Sequence, residues 1–244
     1  METPPPALAQ IVSGGQAQTI DDVLARLRAI DAALPAADGV AWFTKLYLRV
    51  TEEVEARVAA AAAAFHDPAF LVRLDVAFAN LYFDALAAAT RTPSDPPGAW
   101  APLFEARTNP HIAPIQFALA GMNAHINRDL PVALVSTAAA QQVDLAAATS
   151  ELADFRRVNA LLKTTERQVK AWFATGFVGV VDAAFGDVDD HIAMWDVERA
   201  RDAAWVQAQT LWALRALPEL QQEFVATLDH VVGFAGRGLL VPVT

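Results

Sequence analysis

The chain has 244 residues, 55% of them hydrophobic, with no cysteine and a formal net charge of −10. That length and apolar content are enough for one full core. The lack of cysteine excludes disulfides, thiolate metal sites and thiol nucleophiles, and it fits a reducing cytoplasm. The acidic balance repels phosphate backbones and anionic lipid, so nucleic acid is not an expected partner. With no uninterrupted run of about eighteen strongly apolar residues, the chain is not expected to cross or join a membrane.

Residues 1–15, opened by Met1-Glu2-Thr3-Pro4-Pro5-Pro6, read as a disordered leader, and residues 16–244 as a single helical domain. Ile20, Val23, Leu24, Leu27, Ile30 and Leu34 recur at three- and four-residue steps, with Thr19 and Asp22 placed for a capping box. A second helix from about Val40 is expected to bury Phe43, Tyr47, Val50, Val54 and Val58 and to run into the alanine block Ala59 to Ala64. Asp67-Pro68 gives an N-cap with proline at the first helical position, opening a third helix to about Thr90.

Arg91 to Gly98 carries three prolines and a glycine and is expected to be an irregular loop at the mouth of a site. A fourth helix is expected over Ile112 to Leu130, with a short one after Pro131. Later helices are expected at about Ser150 to Lys163, Thr165 to Val180, Asp189 to Leu217 and Glu219 to Ala235. Alternating, strand-like patterns are nearly absent and no repeat of fixed period is visible. The predicted fold is an all-α single-domain bundle of about eight to ten helices.

The fourth helix carries the distinctive chemistry. It is apolar on nearly every face, yet Asn123, His125, Asn127 and Asp129 are set into it, and buried polar groups are costly unless each has a partner. His125 and Asp129 are four apart, so both can point at one spot from adjacent turns. Asn123 and Asn127 lie on roughly the opposite face, where they are expected to tie neighbouring helices together. Pro131 clashes with the carbonyl of Asn127 in a regular helix and removes one backbone hydrogen bond. Three readings of the His125/Asp129 pair stay open: a structural hydrogen bond satisfying a buried imidazole, ligation of a divalent metal such as zinc, iron or manganese, and metal-free acid–base work.

Other motifs explain themselves more simply. Asp67 of His66-Asp67-Pro68 is an N-cap, and the acidic run Gly186 to His191 opens a helix, where carboxylates belong. No paired Glu-x-x-His spacing of the di-iron type occurs. Arg199 and Arg201 are placed either to clamp an anionic group or to pair with the acidic surface. Most of the six tryptophans are expected in the core, with Trp100 beside the proline loop a candidate for a pocket wall.

The chain resembles the domain-of-unknown-function family DUF5995 at LYLRVTEEV (Leu46 to Val54), LDVAFANLYFDAL (Leu74 to Leu86), GMNAHINRDLPVAL (Gly121 to Leu134), FRRVNALL (Phe155 to Leu162) and ARDAAW (Ala200 to Trp205). The Gly-Met-Asn-Ala-His-Ile stretch is the specific part. Pro131 stands where the family pattern has a glycine. The resemblance implies a helical fold and supplies no activity. Its second segment offers partners for His125: Asp75 as a facing carboxylate and Tyr82 beside it as a hydrogen-bond donor, against the plainer reading of a dipole-favoured aspartate and a core tyrosine.

These readings make the chain an expected enzyme acting on a small, largely apolar substrate in a central pocket. His125, Asp129 and Asp75 would be its metal ligands or its acid–base groups, with Tyr82 orienting the substrate. The alternative is a non-catalytic ligand-binding or interaction protein in which the same polar helix is a buried structural network.

Overall fold

A computed structural model describes residues 6–60, 62–91, 96–174 and 196–242. The fold is all-α, with no strand among the described residues. The elements are α1 (Pro6–Val12), α2 (Ile20–Ala33), α3 (Gly39–Ala60), α4 (Pro68–Arg91), α5 (Ala101–Ala106) and α6 (Pro114–Ala124). They continue with a π-helical turn (His125–Asp129), α7 (Leu130–Gln141), α8 (Thr149–Ala174), α9 (Val197–Ala213) and α10 (Pro218–Leu239).

Local signals set most of the helix starts. Thr19 caps α2 through the Asp22 backbone N–H while the Asp22 carboxylate accepts from the Thr19 N–H, the reciprocal box its spacing predicts. Asp67 accepts from the Phe70 N–H at 3.0 Å with Pro68 opening α4, and Asp196 caps α9 through the Arg199 N–H. The helices expected on either side of Lys163 are one, α8, because Thr149–Ala174 contains neither proline nor glycine to stop it.

The chain's opening departs from expectation. Within the expected leader Pro6–Val12 form α1, and Leu8 and Val12, four apart, bury themselves where α1 packs on α2 and α4. The short α5, only six residues long, is not among the helices the sequence predicts. Residues 92–95 of the proline loop, 175–195 (with the acidic run Gly186 to His191) and the first five residues lie outside the described residues.

The α6–π–α7 rod is the axis of the fold. Its first half, through Phe117, Ala120 and Ala124, joins a core shared with α2, α3 and α4. Its second half, through Ile126, Leu130, Ala133 and Leu134, joins another built from α4, α8 and α9. The π turn is where the rod passes from one core to the other, touching α4, α9 and α10. Gly121 makes the approach of α3 possible: a Cβ there would stand 2.4 Å from the Phe43 ring.

Candidate functional site

The expected fourth helix and the short helix after Pro131 are continuous, joined by the π turn. Proline has no N–H to offer an α-helical ladder, and its ring collides with the carbonyl four residues back. One extra residue per turn absorbs both problems: the Leu130 N–H reaches the His125 carbonyl, five residues back, and the rod goes on without a break.

Asp129 is fully buried and accepts three side-chain hydrogen bonds. Oδ2 receives Trp100 Nε1–H at 2.9 Å and His125 Nδ1–H at 3.1 Å, and Oδ1 receives Arg128 Nη1–H at 3.0 Å. Arg128 also donates from Nε to Asp229 on α10 at 3.2 Å, and Asp229 accepts the Ala99 N–H beside Trp100. Asn127 donates to Asn123, and Asn123 to the Val232 carbonyl on α10. The asparagine pair therefore joins α6 to α10, the tying role its spacing suggests.

His125 is 1% exposed and stands at the end of this network. An ionised carboxylate only accepts, so Asp129 requires the proton on Nδ1 and leaves Nε2 as a bare lone pair. Nε2 is buried and has no hydrogen-bond partner. The ring lies flat against Phe78, centroids 3.5 Å apart, and roughly perpendicular to the Tyr47 ring, centroids 4.6 Å apart. Burial holds the imidazole below its ordinary pKa, against the pull of the Asp129 hydrogen bond and charge, so it is neutral at pH 7.

In front of the ring is a cavity of about 310 Å³, bordered by α3, α4, the π turn and the starts of α7 and α9. Val50, Val54 and Val58, read from sequence as core, are half-buried and line its α3 wall. Glu55, Ala59 and Val72 are exposed and form its rim. The opposite wall is aliphatic and aromatic, through Leu74, Phe78 and Leu130.

Four polar groups border this cavity without being used up by the protein. One is the His125 ring. Another is the Tyr47 hydroxyl, buried beside Thr51 without a well-formed hydrogen bond and kept protonated chiefly by that burial. Asp75 makes no hydrogen bond among the described residues, and burial pushes its carboxyl up to about 6, opposed by Arg201. Arg201 is held from behind, donating Nε–H to Asn159 Oδ1 at 2.6 Å and lying 4.1 Å over the Phe155 ring. Burial brings it down to about 10, so it remains a cation. Asp75 and Arg201 attract each other yet do not close into an ion pair.

Of the residues singled out from sequence, His125 and Asp75 border the cavity together. Asp129 does not: it stands behind His125, because Trp100 and Arg128 hold its carboxylate on the far side of the ring. Tyr82 does not either. Its hydroxyl is buried in a 2.7 Å hydrogen bond with Thr44, and its ring packs on Phe43 and Trp100. Nor does Trp100 form a pocket wall, since it is fully enclosed as the donor to Asp129. Among the described residues no group of three His, Cys, Asp or Glu side chains is placed to hold a metal ion, and Asp129 has spent its oxygens on protein donors. His125, Asp129 and Asp75 do not come together as a three-ligand set of the zinc type.

The chain belongs to the family described as a family of unknown function, DUF5995, which it matches over residues 20–242. No curated protein and no solved structure matches it.

Proposed function

We propose that this chain binds a small, largely apolar molecule bearing one polar group and moves a proton on it with His125. The observation that carries the reading is the asymmetry of the imidazole: one nitrogen is fixed by a buried carboxylate, while the other is unpartnered in a ring that borders a cavity. A neutral histidine oriented in this way is a general base. On taking a proton from the ligand at Nε2 it becomes an imidazolium beside the Asp129 carboxylate, and it can return that proton to another atom of the same molecule. No co-reactant is needed for such a transfer. The valine stripe of α3 would hold the apolar body, while Tyr47, Asp75 and Arg201 would hold the polar group.

The test is a thermal-shift series with straight-chain carboxylates, alcohols and methyl ketones of about six to ten carbons, lengths suited to a pocket of this size. At least one class should raise the melting temperature, and Val54→Trp, which plugs the cavity, should abolish the rise. With the methyl ketones in D2O, wild type should exchange the hydrogens alpha to the carbonyl faster than His125→Gln does. The reading fails if Val54→Trp responds like its parent. If binding survives and exchange is the same in both chains, only the non-catalytic alternative is left.

A further inference from the structure

The helix that anchors Asp229 to the polar network, α10, is apolar on two opposite faces. Its inner face packs through Leu228, Val232, Gly233 and Gly236. The outer face carries Leu220, Phe224, Thr227, Val231, Phe234 and Gly238, at successive steps of four, three, four, three and four residues. Phe234 is 76% exposed, Val231 58% and Leu220 53%. Steps of four and three are the seam of a two-helix coiled coil, and a stripe this apolar is seldom left in water.

The stripe is complementary to itself when run antiparallel. Setting Phe224 over the partner's Phe234 brings Thr227 over Val231 and Leu220 over Gly238, whose missing side chain leaves open space. The flanking positions fall into place in the same register. Glu223, His230 and Arg237 recur every seven residues along one border of the seam. Antiparallel pairing puts Glu223 opposite the partner's Arg237, twice by symmetry, and His230 opposite its own copy; within its own chain Arg237 lies 3.5 Å from Glu105, an exposed and loosely held pair that leaves the guanidinium able to reach across. A parallel pairing offers Glu223 no cation. With 22 residues, α10 spans about 33 Å, enough for three heptads.

We infer that α10 is a self-association surface and that two copies of this chain dock through an antiparallel α10 pair. The other face of each helix still carries Asp229 to the Arg128–Asp129 network, so the dimer would present two cavities independently of what each one binds.

The experiment is sedimentation velocity on the full chain up to about 100 µM, a range that detects a dissociation constant in the micromolar region. The expected mass is twice 26.1 kDa. Phe234→Glu, at an exposed position, should leave far-UV circular dichroism unchanged and weaken dimerisation by at least about tenfold. Glu223→Arg and Arg237→Glu should each weaken it, and the double swap should restore it. Because the natural chain has no cysteine, His230→Cys places a lone thiol at the two-fold position. Mild oxidation should cross-link it, while Leu220→Cys, roughly 27 Å from its copy in this register, should not cross-link. A chain that stays monomeric throughout, or a dimer indifferent to Phe234→Glu, overturns the surface. A dimer in which Leu220→Cys cross-links and His230→Cys does not overturns the antiparallel arrangement.

Discussion

The two sides of His125 differ in one respect that decides how each is read. Behind the ring, each oxygen of Asp129 has a donor: Trp100, just before α5, and His125 and Arg128 of the π turn, with Arg128 held in turn by Asp229 on α10. In front of it, the Nε2 lone pair and the Tyr47 hydroxyl are buried without a well-formed hydrogen bond, the half-buried Asp75 carboxyl makes none among the described residues, and the guanidinium of Arg201 is tethered from one side only. Buried polar groups that satisfy one another stabilise a fold, whereas buried polar groups left unsatisfied lower its stability and persist where a ligand completes them. The rear is a closed structural network, and the front is where the proposed site lies.

That contrast is exposed to mutation, and the largest effect is expected at the rear. Asp129→Ala leaves Trp100 Nε1–H unpaired and Arg128 with a single carboxylate, and should destabilise the chain by about 3–5 kcal/mol, the usual cost of removing one partner from a buried charge pair. Urea denaturation measures it. A loss under about 1 kcal/mol, the scale of an exposed pair, would show that the network is not the closed, solvent-free unit described.

At the front the sign reverses. The folded chain holds the Asp75 carboxyl near 6 rather than 3.8, so it keeps a proton that the unfolded chain has released. Asp75 therefore costs stability increasingly as pH rises from about 4 through 6, and its full cost is present above that. Asp75→Asn should raise stability at pH 8 by about 1–2 kcal/mol and leave pH 4 nearly unchanged. His125 acts in the other window, since its lowered pKa makes the folded chain lose stability as pH falls below about 6.5. A smaller effect sharpens the boundary between the two sides. Tyr82→Phe removes only the bond to Thr44, should cost about 1 kcal/mol, and should leave the thermal response to any cavity probe intact.

The fold was legible because it rests on local signals: the Thr19/Asp22 box, the Asp67-Pro68 start and the three-and-four spacing of apolar residues. GMNAHINRD likewise announced itself as polar residues in an apolar setting. Which way its side chains face was not legible. Spacing of four put His125 and Asp129 on one side, but the division of labour comes from Trp100, far away in sequence, and from a π turn that no periodicity records. The valine stripe of α3 looked the same as a core stripe, because a cavity wall and a packed core select the same residues. The sequence offers Arg201 either as a clamp or as a surface partner, and its burial over Phe155 and its tether to Asn159 depend on α8 and α9 packing together. Helical spacing puts Tyr82 on the face of Asp75, but Thr44, on another helix, draws its hydroxyl into the core.

The central claim is that Asp129 fixes His125 as a neutral Nδ1–H tautomer whose Nε2 is free to act. It is tested most directly by 15N NMR of the imidazole nitrogens, with His125 assigned by comparison with His125→Gln. The account predicts a protonated Nδ1 and an unprotonated Nε2 at pH 7, a pKa below 6.5, and movement of the Nε2 resonance when a cavity probe binds. A proton on Nε2, or an imidazolium at pH 7, would contradict it.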